Sequence, residues 1–178
     1  AEAEPTGAQG DAEDGPTGEY DEDGEADALA GVDSILQYYQ WRRGDDVDYR
    51  KQLSALNVAL SIATESARPT AQWDLARFFF AHNMAPDALG MLRLLAEENP
   101  TVEQDLTYRA VRGASHFLMG RTDEAAEDLL SPALSADPGI SLWRGAIFAE
   151  RGEWLAAHQE FSISGFAIPA VPSKQQAR

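Results

Sequence analysis

The stretch GAIFAERGEWLAAHQEFSISGFAIP, Gly145 to Pro169, carries a small residue (Gly145), an aromatic three places on (Phe148), a turn glycine (Gly152), an alanine (Ala157), a bulky apolar residue (Phe161) and a closing proline. The same offsets occur twice upstream, at Ala76, Phe79, Asn83, Ala88, Leu92 and at Gly113, His116, Gly120, Ala125, Leu129. The copies start 37 and then 32 residues apart, whereas the spacing inside each copy never changes. Rigid units joined by connectors of variable length are the signature of a stacked repeat.

The pattern reads as two helices folded back on each other. The first runs through the small residue and the aromatic. It breaks at Asn83, Gly120 or Gly152, residue types that accept the left-handed backbone of a helix end. The second carries the alanine, placed opposite the small residue so that the two backbones approach closely and bulky side chains fill the flanks. Six positions are therefore expected to set the packing: Ala76, Ala88, Gly113, Ala125, Gly145 and Ala157. Pro100, Pro138 and Pro169 are expected to close the second helices, because proline cannot continue the ladder.

Small residue, aromatic, turn glycine, alanine, bulky residue and closing proline together resemble the tetratricopeptide repeat family, whose unit is a helix pair of about 34 residues. The third copy is the fullest match. In the second, His116 replaces the aromatic and Pro132 a later alanine, while Trp73, Tyr108 and Trp143 stand near the family's first-helix tryptophan in differing register. The resemblance implies an all-α fold, a right-handed α-solenoid of stacked antiparallel helix pairs. It also implies a concave groove lined by the first helices. The groove positions fall three before, one after and four after the small residue: Trp73, Arg77, Phe80; Ala110, Ala114, Phe117; Leu142, Ala146, Ala149. Such a groove suits an apolar helix or extended segment better than a strongly acidic peptide. Tryptophan, phenylalanine and arginine are also the types that dominate interface hot spots.

Charge divides the chain. Residues 1–27 hold eleven acids and no lysine or arginine, so they carry −11 of the formal −16. With one aromatic, Tyr20, this tail cannot bury enough area to offset chain entropy and is expected to be disordered. Glu19, Asp21, Asp23 and Gly24 mimic half of a calcium loop, but Ala30 stands where the closing glutamate belongs, so no metal site is expected. Residues 28–69 read as a divergent helix pair, a cap or degenerate first repeat. One helix is expected from Ala28 to Arg43, with Gly44 ending it, and another from Asp45 or Asp46 to Ala67, closed by Pro69. Three repeat-like pairs follow over 70–169, divided near 70–101, 102–138 and 139–169. Residues 170–178 read as the start of a further helix, capped by Ser173 and cut short. With Ala1 in place of an initiator methionine, the chain is expected to be an excerpt of a longer protein.

The sequence offers no catalytic constellation and implies no cofactor. His82, His116 and His158 fall at three different places in the repeat, no serine has a nucleophile-elbow context, and no phosphate loop follows a strand. Absent cysteine excludes disulfide and thiol chemistry without fixing the compartment. No apolar run approaches the roughly 18 residues of a membrane span. Nucleic acid is disfavoured, because Arg77, Arg93, Arg109, Arg112, Arg121, Arg144 and Arg151 are interspersed with acids and are expected to pair with them or to cover apolar surface with their stems. What remains is a noncatalytic scaffold that binds a protein or peptide partner or self-associates. A structural spacer whose chemistry lies in other parts of a larger protein is the second expectation.

Overall fold

The computed structural model describes residues 34–43 and 48–164, and among these every regular element is helical. A short helix α1 (Tyr38–Arg42) precedes α2 (Tyr49–Ile62), then α3 (Arg68–Ala81), α4 (Ala85–Glu98), α5 (Leu106–Leu118), α6 (Thr122–Leu129), α7 (Pro138–Glu150) and α8 (Trp154–Ser164). Single 3₁₀ turns, Pro100–Gln104 and Pro132–Leu134, link α4 to α5 and α6 to α7. The acidic tail, the expected helix start at Ala28, the Gly44–Asp46 turn, Pro169 and the expected helix after Ser173 lie outside the described residues.

The three hairpins share one backbone design. Asn83, Gly120 and Gly152 have φ of 60°, 72° and 74°. In each turn the residue after the left-handed one sends its N–H back to the carbonyl of the repeat's aromatic position: Met84 to Phe79 at 2.9 Å, Arg121 to His116 at 3.0 Å, Glu153 to Phe148 at 2.8 Å. The left-handed residue itself bonds to the next carbonyl, Phe80, Phe117 or Ala149, at 2.9 to 3.0 Å. This is the Schellman arrangement, which satisfies carbonyls that a helix end would otherwise leave unpaired. The pattern's aromatic thus sits at a fixed distance from the turn because its carbonyl closes the turn.

Each first helix packs on its second, α3 on α4, α5 on α6 and α7 on α8. The pairs then meet in chain order through α4 with α5 and α6 with α7, and α5 also touches α3 and α7. One apolar cluster runs from α3 through α7, including Phe80, Leu92, Tyr108, Val111, Leu129, Ile140 and Ile147. A smaller cluster of Leu56, Leu75 and Phe78 joins α2 to α3.

The packing positions are buried as expected of close approach, but the partner of the small residue differs from expectation. A Cβ added to Gly113 would lie 2.7 Å from Leu129 Cγ and 2.9 Å from Asp128 Cβ, with the Ala125 carbonyl 3.3 Å away. One added to Gly145 would lie 2.6 Å from the Phe161 ring. The glycine makes room for the bulky residue one turn past the alanine, and the alanine contributes backbone proximity.

Pro100 follows the end of α4 as expected, whereas other prolines act differently. Pro69 and Pro138 occupy the first turns of α3 and α7, opening these helices where the missing N–H costs nothing, instead of closing the preceding ones. Pro132 follows the eight-residue α6 and starts a 3₁₀ turn. Its ring opposes the carbonyl four residues back, which explains why the second helix of this pair is the shortest.

The expected helix from Ala28 to Arg43 is corrected over its described part. Residues 34–37 are not helical, and Arg43, at φ 56°, ends α1 before Gly44. The Ser34 hydroxyl accepts from Leu36 N–H at 3.1 Å, and the Ile35 N–H is taken by Asp137, over a hundred residues away. Those bonds replace the helical ladder. The second helix is likewise shorter than expected, running Tyr49–Ile62.

Alanine substitutions separate the two roles of glycine. Gly113→Ala should destabilise by about 1–3 kcal/mol through overpacking against fully buried Leu129. Gly145→Ala should cost less than Gly113→Ala, since Phe161 is 38% exposed and can swing aside. Gly120→Ala, with open space around it, should cost about 1–2 kcal/mol from backbone strain alone. Urea titrations of the three variants, read by far-UV circular dichroism, check the ordering.

Candidate interaction groove

Helices α3, α5 and α7 share a face, and the segment 34–43 lies on it. At its start, Ser34 Oγ donates to Asp137 Oδ1 at 2.8 Å and the Ile35 N–H donates to Asp137 Oδ2 at 2.8 Å. Asp137 is also the N-cap of α7, accepting the Ile140 N–H at 3.0 Å. An Asp before Pro138 is a sequence-legible cap. Its second duty, holding a distant backbone, is not. Gly139 is needed here for space, because an added Cβ would run into the Ser34 hydroxyl and lie 2.9 Å from Ser34 Cβ.

At the centre, Trp143 Nε1–H donates to the Tyr38 hydroxyl at 3.1 Å. The Tyr38 ring stands 5.3 Å from Phe80, which also meets Trp41 and Trp143, each at 6.3 Å. Phe117 meets Trp143 edge-on at 6.0 Å. Burial pushes the Tyr38 phenol far above its ordinary range, opposed by the Trp143 hydrogen bond, so the phenol stays protonated.

At the far end the Arg77 guanidinium lies over Trp73 at 5.2 Å and over Trp41 at 5.9 Å, contacts worth about 0.5–2 kcal/mol each. Asp74 bonds Arg77 and pairs with Arg43 at 3.0 Å, and His82 Nε2 lies 3.3 Å from the Arg42 carbonyl oxygen. A pocket of about 200 Å³ remains between Gln37, Gln40, Trp41, Arg43, Asp74 and Arg77.

Of the nine groove positions read from the repeat offsets, Phe80 and Arg77 contact this segment, while Trp73 lies against Arg77 and Phe117 against Trp143. Phe80, Ala110 and Ala114 are fully buried, in one cluster with Leu36, Tyr38 and Trp41. Leu142 is half-buried against that cluster, and Ala146 is half-buried on α7. Ala149 lies elsewhere, in a shallow cleft of about 380 Å³ with Trp154, Ala157, His158, Phe161 and Ser162. Offset counting missed Asp137, Trp143, Tyr38 and Trp41. The signals for them existed as an Asp-Pro cap and as tryptophans out of family register, but their convergence depends on chain segments a hundred residues apart.

Arg77, Arg93, Arg109, Arg112, Arg144 and Arg151 pair with acids. Asp128, buried on α6, receives Arg112 through two bonds, 2.8 and 2.9 Å, and Arg109 at 3.3 Å. Arg112 extends to Glu103 at 2.9 Å, and Arg144 bonds Glu160 at 2.8 Å. Hydrogen bonding to Asp128 is the main reason that Arg112 holds its proton even more firmly than usual. These pairs tie α6 to α5 and α8 to α7, and Arg112 also reaches the preceding 3₁₀ turn.

The histidines stay apart. His82 packs tilted against Phe78 and edge-on to Tyr49, with centroids 4.4 and 4.8 Å away. His158 borders the cleft on α8. His116 lines a cleft of about 430 Å³ between α4 and α5, with Arg93, Arg112 and Arg121. Among the described residues no three His, Asp or Glu side chains converge as a metal site, and no helix is long and apolar enough to cross a membrane.

Burial, then the nearby Arg121 charge, lowers the His116 pKa below its ordinary 6.5, and its buried Nδ1 has no hydrogen-bond partner among the described residues. The unfolded chain then binds a proton that the folded chain resists, so stability is lost as pH falls below 6.5 and levels off beneath the folded pKa. His116→Phe should flatten this component, and chemical denaturation of both proteins between about pH 5 and 7 reads the difference in slope.

Comparison with known protein families, curated proteins and solved structures gives no match.

Proposed function

We propose that this chain is a noncatalytic helical-repeat scaffold, a right-handed α-solenoid of tetratricopeptide-like pairs, whose groove binds a segment of a protein partner. Three hairpins with one turn chemistry, each packed on the next, support the solenoid reading. The observation that carries the recognition reading is the segment 34–43. The face of α3, α5 and α7 holds ten residues of polypeptide through a carboxylate on a backbone N–H, an indole N–H on a phenol and aromatic stacking. Those are the means by which peptides are held.

The spacer reading keeps one observation in its favour. Phe80, Ala110 and Ala114 are already fully buried, as ordinary core would be. Partner capture by crosslinking, compared between the native chain and Trp73→Ala/Phe117→Ala, separates the two. The scaffold reading expects about a 30-fold or greater loss of affinity, as hot-spot truncation costs about 2 kcal/mol, with helicity retained. Unchanged capture by a helical double variant would place recognition away from the groove.

A further inference from the structure

The segment 34–43 is held as a ligand is held. Its polar anchors, Asp137, Trp143 and Asp74, come from α3 and from the start of α7, and the chain separation to Asp137 and Trp143 is 102 to 105 residues. Its own regular structure is a five-residue helix. A helix that short has no stability of its own in water, so the segment keeps its shape only while the groove holds it. Four residues, 44–47, separate it from the next described element. The groove is moreover shaped for it, since Gly139 leaves the space that Ser34 enters.

We propose that the groove recognises, in a second protein, a short segment with the chemistry of this one, and that residues 34–43 occupy the site until displaced. The recognised pattern is a hydroxyl and a backbone N–H for Asp137, an apolar residue two places after the hydroxyl as at Leu36, a phenol four after as at Tyr38, and an indole seven after as at Trp41. The phenol is read by Trp143, and the indole is read by Phe80 and Arg77. This rests on the groove being a protein-recognition site and adds what it selects and what closes it. A short tether presents the internal copy at an effective concentration of millimolar order, so an external segment with equal contacts competes poorly. Only a partner at high local concentration, or one with further contacts, opens the site.

The test titrates a fluorescein-labelled peptide of residues 33–43 into the full chain and into Tyr38→Ala/Trp41→Ala, read by anisotropy. The double variant should bind the peptide about 100-fold tighter than the native chain, because its internal competitor is crippled. In that background Trp143→Phe should weaken the peptide about fivefold, and should have no effect on a peptide carrying Tyr38→Phe, whose ring has no phenol to read. Equal binding to native and double-variant chains, no binding to a helical double variant, or indifference to Trp143→Phe would each overturn the proposal. Should the double variant lose helicity, Tyr38→Phe in the full chain decides. It keeps the ring and drops one bond, so about fivefold tighter peptide binding supports displacement and no change overturns it. If the peptide fails while partner capture still depends on Trp73 and Phe117, the groove reading stands without this closure. If that dependence also fails, the groove reading falls.

Discussion

Each of the three hairpins among the described residues hangs on a backbone residue held at positive φ, four residues past the repeat's aromatic position, whose carbonyl the next residue's N–H satisfies. Asn83, Gly120 and Gly152 reverse the chain within three residues, and the returning N–H bonds at Phe79, His116 and Phe148 fix the angle at which the second helix leaves. Once that angle is set, the helices must lie side by side, and the side chains between them have little choice. Leu129 and Phe161 project into the spaces that Gly113 and Gly145 leave, and an ordinary Cβ would close those spaces. Turn chemistry and interhelical packing are thus two expressions of one spacing.

Polar groups reinforce the apolar design where helices meet. Asp128 is buried beside Leu129, a position that would be costly for an unpaired carboxylate. Arg109 and Arg112 surround it, with Arg112 in the two-bond geometry that guanidinium and carboxylate share. Arg144 and Glu160 do the same one repeat later, joining α7 to α8. Both arrangements place the cation on the first helix, either one before or four before the small residue, and the acid on the second, so they specify which helix faces which. Buried pairs of this kind contribute more to that choice than to net stability.

The face of α3, α5 and α7 combines traits that rarely coexist in a simple core. Its apolar centre is aromatic, with Phe80, Trp143 and Tyr38 in mutual contact, and its ends are polar, with Asp137 at one and Arg77, Asp74 and His82 at the other. Polar anchors at both ends of an aromatic floor fix the register and direction of a chain laid across it. Ten residues from before the first full helix pair meet that demand. The two ion pairs of Asp74, with Arg43 and Arg77, lie toward the solvent end, where they steer more than they stabilise.

Periodicity made most of the helical architecture legible. Three copies of one offset pattern named the turn residues and the buried small positions, because each property is local: φ at a glycine depends on its neighbours, and an alanine's burial depends on a helix face that recurs every few residues. Pro69 and Pro138 were misassigned to helix ends for the same locality, since a proline just past a helix and one in the first turn of the next look alike in a string. Phe80 and Arg77 could be named from the repeat offsets, but the segment that packs on them could not. Tyr38 and Trp41 sit in a stretch whose own pattern favours a longer helix, and it is Asp137, Gly139 and Trp143, brought near by the stacking of three pairs, that draw residues 34–37 out of it. Short-range preferences are written residue by residue, whereas the competition between a helical hydrogen bond and a carboxylate a hundred residues away is settled by distance in space.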